Sequence, residues 1–281
     1  MEIQWYPGHM AKAKRLLQED LKLIDVVAEL VDARAPRSTG NPDFDELFKN
    51  KSRVVILNKS DLADPALTKR WVERFCSQGK QALPFVSTGG NKKAVVAAFE
   101  QASAEKVARM RAKGVTKTVR ILVAGIPNVG KSTFINRIAG GTRTRVGDRP
   151  GVTRGKQWVK ITPYLEMMDT PGLLWPKLDN ETYARRLAYI GSIRDDIMDV
   201  ERLAGNLLID LKRLCPNELN ERYKDISADT PDELLLQSVC KSRSFILPGN
   251  EPDTMRAASI VLDEYRAGRI ARVTFDDPDE E

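Results

Sequence analysis

The segment Gly125-Ile-Pro-Asn-Val-Gly-Lys-Ser132 decides the fold of this chain, because it has the form G-x-x-x-x-G-K-[ST]. An apolar run, Arg120–Ala124, precedes it, and Thr133–Ile138 follows it with helical character. The motif therefore stands between a buried strand and a helix, where a phosphate-binding loop belongs. The alternative is a glycine-rich turn that binds nothing, and the agreement of strand, loop and helix disfavours it.

The residue types of this loop match the chemistry of a bound polyphosphate. The glycines let backbone N–H groups turn inward around phosphate oxygens, and the helix N-terminus adds positive potential. Lys131 would reach the β- and γ-phosphates, and the Ser132 hydroxyl would bind Mg²⁺. We expect the nucleotide to contact Asn128, Val129, Gly130, Lys131, Ser132 and Thr133.

The composition of the 281 residues limits the class of protein. The chain is 42% hydrophobic and 30% charged, so it can bury a core and stay soluble. Its net charge of +6 favours a polyanionic partner. The three cysteines are too far apart to indicate a disulfide framework or a zinc site. No signal-peptide pattern or membrane-length apolar run is present, so we predict a soluble, cytoplasmic monomer that does not bind membranes.

Strands and helices alternate through the first two thirds of the chain. This order predicts an α/β domain with a mostly parallel sheet covered by helices on both faces. A loop is expected at 33–42, and helices are expected at 44–48, 68–77 and 92–111. The predicted strands are 26–31, 53–57, 82–86, 120–124, 157–161 and 165–168.

The sequence changes character after about residue 179. Apolar residues at helical spacing in 200–214 and 255–265 predict a small all-α domain, with Gly268 just after the last helix. Thr230-Pro-Asp-Glu233 is typical of a capping box that opens another helix. The acidic segment 276–281 is predicted to be a disordered tail. The predicted domains are 1–178 and 179–281.

The tetrapeptide Asn58-Lys-Ser-Asp61 follows the second strand and favours a guanine base. Guanine presents adjacent N1–H and N2–H donors, and the ionised Asp61 carboxylate can accept both. Adenine lacks this pair, which disfavours an ATPase. Asn58 can hold either the guanine O6 or the neighbouring loop, and the Lys59 stem can lie on the base. Ser87-Thr88, after the third strand, can direct backbone N–H groups at O6.

Asp169-Thr-Pro-Gly172 follows the last strand and suits the metal and the γ-phosphate. Asp169 would hold Mg²⁺ from its second coordination sphere, and the Gly172 N–H would face the γ-phosphate. Thr153 is the threonine we expect to close over Mg²⁺, although Thr142 and Thr144 compete for this role.

These segments resemble the five G motifs of translation-factor-class GTPases, but Asn58-Lys-Ser-Asp61 and Ser87-Thr88 come before the phosphate loop instead of after it. The order resembles a circularly permuted GTPase, and within that class the chain is similar to the ribosome biogenesis GTPase A (RbgA/YlqF) family. Trp5-Tyr-Pro-Gly-His-Met10 and Asp32-Ala-Arg-Ala-Pro-Arg37 match the family pattern, as do the phosphate loop and Asp169-Thr-Pro-Gly172. Ser87-Thr88 departs from the usual Ser-Ala or Ser-Gly.

The resemblance implies a circularly permuted P-loop GTPase domain followed by a helical domain that contacts ribosomal RNA. It further implies binding of GTP and GDP, and a role in late assembly of the large ribosomal subunit. It assigns a catalytic role to His9, and it likens Asn128 to the asparagine with which related GTPases bind K⁺. From the residues alone, a structural or exposed histidine is favoured over a catalytic one.

The group that orients the catalytic water is not evident from the residues. The position after Asp169-Thr-Pro-Gly172, where Ras-type enzymes carry a glutamine, is Leu173. Two hypotheses follow: a GTPase stimulated by a preribosomal particle, or a non-catalytic, GTP-gated RNA-binding scaffold. Basic residues form either an RNA-binding surface or an ordinary solvated face; they are Lys12, Lys14, Arg15, Arg109, Arg111, Lys113, Lys117, Arg143, Arg145, Arg149, Arg154 and Lys156.

Overall fold

The computed structural model of the chain describes residues 17–89, 91–141, 157–170, 180–193, 195 and 198–280. Six strands in these residues form one sheet. They are β1 (Val26–Asp32), β2 (Ser52–Asn58), β3 (Gln81–Phe85), β4 (Val119–Gly125), β5 (Gln157–Thr162) and β6 (Leu165–Asp169). Their order across the sheet is β3-β2-β1-β4-β6-β5. All neighbours run parallel except β5 and β6, which are antiparallel.

The central strand β1 is buried on both faces, which explains its mostly apolar sequence; its charged residues, Glu29 and Asp32, are buried and form ion pairs. Val26, Ala28 and Leu30 point into the main core, whereas Val27 and Val31 pack on the opposite face. This alternation is the period of two that a strand imposes on its side chains. Helices therefore cover both faces, as the sequence predicted.

Helices connect the strands of the sheet. They are α1 (Pro36–Thr39), α2 (Asp43–Leu47), α3 (Pro65–Ser77), α4 (Lys92–Arg111) and α5 (Lys131–Ala139), together with a helical turn at 17–21. The expected loop at 33–42 is wrong in one part, because it contains the single turn of α1. Helix α3 begins earlier than predicted, since the Asp64 carboxylate accepts a hydrogen bond from Leu67 N at 2.7 Å and Pro65 takes the first helical position.

The C-terminal region consists mainly of helices: α6 (Glu181–Tyr189), α7 (Val200–Leu214), α8 (Pro216–Arg222), α9 (Leu235–Arg243) and α10 (Thr254–Arg266). Leu203, Leu207 and Leu211 of α7 are buried, as their spacing predicted, while Leu214 is exposed. Gly268 follows α10 with a φ of 69°, a left-handed conformation suited to glycine at the end of a helix. No helix in the described ranges is long and apolar enough to cross a bilayer.

The apolar core continues from the sheet into these helices. Residues of β1 and β4 and residues of α7 and α10 belong to one cluster of buried side chains. The predicted domain boundary at 178/179 falls in a stretch outside the described residues, so the division of the chain at that point stays a prediction.

The predicted capping box at Thr230-Pro-Asp-Glu233 is wrong. The Thr230 hydroxyl accepts a hydrogen bond from Ser227 N at 2.8 Å, so it closes the preceding turn and does not cap a helix. Asp232–Leu234 form a 3₁₀ turn, and α9 begins only at Leu235. A threonine hydroxyl can accept either from a backbone N–H of the following helix or from one of the preceding turn, and here it accepts from the preceding turn.

The predicted disordered tail is also wrong at its first residue, Asp276, which is fully buried. The Asp276 carboxylate accepts hydrogen bonds from Ser38 N at 2.7 Å and Ser38 Oγ at 2.8 Å, and it pairs with Arg186. Its backbone carbonyl accepts a hydrogen bond from Trp71 Nε1 at 2.8 Å. These polar partners compensate the burial of the charge and fix the end of the chain against the sheet domain.

We predict that Asp276→Asn lowers the free energy of unfolding by about 1–3 kcal/mol, because Arg186 loses its buried counter-charge and Ser38 a charged acceptor. Denaturant unfolding followed by circular dichroism measures the change. Asp279→Asn is the matched control, since the Asp279 side chain is 77% exposed. The control should change stability by less than about 0.5 kcal/mol. Equal values for the two variants would contradict a role for the buried carboxylate.

Candidate nucleotide-binding site

The motif-bearing segments converge at one edge of the sheet. The phosphate loop follows β4, Asn58 ends β2, Ser87 lies two residues after β3, and Asp169 ends β6. Because these strands are parallel, their carboxyl ends lie side by side, which is where ligands bind in open α/β sheets.

Two glycines of the phosphate loop are required by close approach of neighbouring segments. A Cβ atom on Gly125 would lie 2.7 Å from the Leu30 carbonyl oxygen of β1. A Cβ atom on Gly130, where φ is 99°, would lie 2.5 Å from Asn58 Nδ2. Contacts inside the protein therefore demand glycine at both positions, in addition to any contact with phosphate.

Lys131 is buried at the start of α5, and its side chain folds back over the loop. Its Nζ donates hydrogen bonds to the carbonyl oxygens of Gly125, at 3.2 Å, and Ile126, at 2.9 Å. Burial lowers the pKa of Lys131 to about 8, and the nearby Asp169 carboxylate opposes this shift only in part. The ammonium is thus held at the loop, and a bound phosphate would raise its pKa again.

Ser132 and Asp169 meet at the position where a metal ion is expected. Ser132 Oγ donates a hydrogen bond to Asp169 Oδ2 at 2.6 Å, and Asp169 is almost fully buried. A hydroxyl and a carboxylate are oxygen donors of the kind that Mg²⁺ prefers, so this pair suits the ion. Thr170 Oγ1 donates to the Val123 carbonyl at 2.7 Å, which ties the end of β6 to β4.

Asn58 links three of the segments. Its Nδ2 donates to the Val129 carbonyl of the phosphate loop at 2.8 Å, and its Oδ1 accepts from Ser87 Oγ at 3.0 Å. Asn58 is buried. The sequence left it two roles, holding the guanine O6 or holding a neighbouring loop, and the contacts of its side chain are with neighbouring loops. Thr88, the next residue after Ser87, is exposed.

Lys59 and Asp61 lie just beyond the end of β2. Lys59 adopts a left-handed conformation with a φ of 57°, and its Nζ donates to the Asn128 carbonyl at 3.1 Å. Asp61 lies in the 3₁₀ turn Ser60–Leu62 and is partly exposed. The Lys59 side chain therefore extends from the end of β2 to the phosphate loop, and Asp61 is partly exposed beside it.

Asn128 connects the phosphate loop to the helical region. Its Nδ2 donates a hydrogen bond to the Gly191 carbonyl, just after α6, at 2.7 Å. Its backbone is left-handed, with a φ of 57°. The side-chain nitrogen therefore forms a hydrogen bond within the protein. Of the two side-chain polar atoms, the oxygen is the one that can bind a cation.

Several predicted site residues lie outside the described residues: His9, Thr142, Thr144, Thr153, Gly172 and Leu173. Their roles stay predictions. One further pair of charged residues lies beside these segments. Asp32 and Arg34 form a fully buried ion pair beside Lys59, with 2.8 Å between Arg34 Nη2 and Asp32 Oδ2. The only sequence signals for them were the position of Asp32 at a strand end and the motif Asp32-Ala-Arg-Ala-Pro-Arg37.

Comparison with known proteins agrees with this geometry. Residues 120–226 match the family described as 50S ribosome-binding GTPase. The chain is 45% identical to ribosome biogenesis GTPase A of Priestia megaterium, over all of the chain and 98% of that protein. It is 32% identical to the protein of the same name from Thermotoga maritima, over 99% of the chain and 95% of that protein.

A solved structure has the same fold. The GNP-bound YlqF of Thermotoga maritima superposes with a TM-score of 0.69 at 27% identity, covering 96% of this chain and all of the other. The sequence matches extend over the full length, and the structural match covers nearly all of the chain. The chain therefore belongs to the ribosome biogenesis GTPase A family, and it is an enzyme that hydrolyses GTP.

Proposed function

We propose that this GTPase acts in the assembly of the large ribosomal subunit and that a preribosomal particle stimulates its turnover. The observation that carries the proposal is the meeting of the phosphate loop, Asn58 and Asp169 at one sheet edge, in a chain that matches its relatives along its whole length. Those relatives are named ribosome biogenesis GTPase A, and a mouse relative at 33% identity is named mitochondrial ribosome-associated GTPase 1.

In this proposal the two ends of the site bind different parts of the nucleotide. Asp61 accepts hydrogen bonds from guanine N1–H and N2–H, and Lys59 lies along the base. At the other end, the backbone of 128–133 and the Lys131 ammonium bind the phosphates. Ser132 would bind Mg²⁺ and Asp169 would orient its shell, and the ion would supply positive charge to the phosphate oxygens.

The partner is proposed to be ribosomal RNA, bound in part by the helical region 179–281. The net charge of +6 favours a polyanion, but the positive excess belongs to residues 1–178, since 179–281 contains more acidic than basic residues. Three basic residues, Arg109, Arg111 and Lys113, are exposed near the end of α4, while Lys117 Nζ lies 3.0 Å from the buried Asp25 carboxylate. The three exposed side chains can reach RNA phosphates, whereas Lys117 forms an ion pair with Asp25 inside the protein.

The catalytic water needs an orienting group, because the aliphatic Leu173 cannot form a hydrogen bond. We propose that particle binding brings His9 to the γ-phosphate and orders Thr153 and Gly172 around it. K⁺ held by the Asn128 oxygen is a second proposed source of charge near the phosphates.

A non-catalytic scaffold is disfavoured, because the family consists of GTPases. We expect the protein to act as a cytoplasmic monomer.

Base specificity provides the first test. Asp61→Asn should weaken GTP binding by at least about tenfold and admit xanthosine triphosphate, whose extra carbonyl can accept from the asparagine amide. Fluorescence titration with labelled nucleotides measures both affinities. Asp64→Asn is the control, three residues further on, because asparagine can keep the cap that Asp64 provides to Leu67 N. Unchanged GTP affinity in Asp61→Asn would remove this residue from the base pocket.

The lowered pKa of Lys131 predicts proton uptake on binding. Above pH 8 the amine of the nucleotide-free protein loses its proton, whereas bound phosphates raise the pKa and keep it charged. GDP affinity should therefore fall as pH rises above 8. Calorimetry in buffers of different ionisation enthalpy should record uptake of about one proton at pH 9 and about a tenth of one at pH 7. Equal uptake at the two pH values would contradict the assignment.

The third test concerns His9. His9→Ala should leave GTP affinity nearly unchanged but lower particle-stimulated hydrolysis by about tenfold to a thousandfold, as expected when one positioned polar group is removed. Single-turnover assays with purified large-subunit precursors measure the rate, and bound nucleotide is checked in parallel. If His9→Ala and the wild type have the same stimulated rate, His9 takes no part in the chemistry, and the backbone, K⁺ at Asn128 or the ribosomal RNA must position the water.

A further inference from the structure

Asp32 is a buried carboxylate at the end of β1 for which the mechanism above provides no role. Its register partner across the sheet is Asn58, the first residue of the base-recognition loop. Asp32 Oδ1 accepts hydrogen bonds from Arg34 N at 3.1 Å and Arg34 Nε at 2.9 Å, and Oδ2 accepts from Arg34 Nη2 at 2.8 Å. The Arg34 guanidinium therefore occupies one side of the carboxylate with a two-pronged contact.

Lys59 contacts the same carboxylate. Its Nζ lies 3.2 Å from Asp32 Oδ2 and 3.1 Å from the Asn128 carbonyl of the phosphate loop. The ammonium is thus held between a carboxylate at the end of β1 and a carbonyl of the loop that binds phosphate. Since the Lys59 side chain is 26% exposed, its stem still presents a surface to a ligand.

The charges make this arrangement depend on Asp32. Although burial opposes ionisation, Arg34 and Lys59 hold the pKa of Asp32 well below its usual range, so the carboxylate is charged. Burial lowers the pKa of Lys59, and the Asp32 charge counteracts this effect while Arg34 adds to it. Without the Asp32 charge, the ammonium would face the guanidinium with no anion between them, which favours a displaced or neutral lysine.

Arg34 is in turn fixed by the C-terminal segment. Its carbonyl accepts a hydrogen bond from Phe275 N at 2.7 Å, and its guanidinium lies 5.3 Å from the centre of the Tyr265 ring. Thr274 Oγ1 donates to the neighbouring Ala33 carbonyl at 3.1 Å. The carboxylate is thereby held by an arginine that cannot move without breaking contacts with the end of the chain.

We propose that Asp32 is a positioning residue of the nucleotide site: it fixes the Lys59 ammonium against the phosphate loop, and Arg34, held by the C-terminal segment, fixes Asp32. Its action on nucleotide affinity runs through Lys59 alone. The proposal rests on the proposed role of Lys59 beside the guanine base.

A double-mutant cycle tests this statement, with labelled GDP as the probe and the full chain as the protein. Asp32→Asn should weaken GDP binding by about tenfold, the loss expected for a charged hydrogen bond. Lys59→Met should weaken it at least as much. In the double variant, Asp32→Asn should add less than about a twofold further loss, because the lysine through which it acts is gone. A purely structural role predicts instead that the two losses multiply, and that result would overturn the proposal, as would wild-type affinity in Asp32→Asn.

Removal of a buried charge could prevent folding, so Arg34→Lys is the second variant. It keeps the positive charge but loses the two-pronged contact, and it should weaken GDP binding by about twofold to fivefold only when Lys59 is present. An equal loss in the Lys59→Met background would overturn the proposal. Asp61→Asn is titrated in parallel to separate two kinds of failure. If Asp61→Asn loses guanine specificity while Asp32→Asn binds GDP as the wild type does, the base site stands and the positioning role fails. If Asp61→Asn keeps guanine specificity and Asp32→Asn keeps wild-type GDP affinity, the base site itself is wrong.

Discussion

The parallel alignment of five strands is the constraint on which the candidate site depends. It brings the carboxyl ends of β1, β2, β3, β4 and β6 to one edge of the sheet. Ser132 and Asp169, 37 residues apart, thus come within 2.6 Å, and Asn58 reaches the Val129 carbonyl across 71 residues. Neighbourhood in the sheet, and not order along the chain, decides which loops meet. A permuted chain can therefore build the same site, as long as each strand keeps its neighbours.

The parts of this architecture that local sequence determines could be predicted. Strands β1, β2 and β4 are largely buried on both faces and appear in the sequence as mostly apolar runs. The bounds of α4 were predicted to the residue, and the phosphate loop was located between its strand and helix. In each case the signal is contained in a few consecutive residues and reflects the period or turn chemistry of one element.

Some features escaped prediction because the partner is distant in sequence, and others because the sequence does not distinguish two local arrangements, or the burial and exposure of a charged pair. Asp276 looked like part of an acidic tail, but its partner Ser38 lies 238 residues earlier. The Thr230 hydroxyl could cap a helix or close a turn, and the sequence does not rank two local acceptor roles of similar energy. Asp32 and Arg34 are charged residues that composition assigns to the surface, yet they are buried because each supplies the other's hydrogen bonds.

Contacts between segments distant in sequence also connect the helical region to the candidate nucleotide site. One hydrogen bond joins Asn128 of the phosphate loop to the Gly191 carbonyl, and Arg266 of α10 donates to the adjacent carbonyls of Ala188 and Tyr189. A second contact joins Phe275 N to the Arg34 carbonyl. A partner that shifts the helical region must strain or break these bonds, and it thereby changes the energy of the loops that would hold base and phosphate. Linkage then requires that nucleotide occupancy change the affinity for that partner by the same factor.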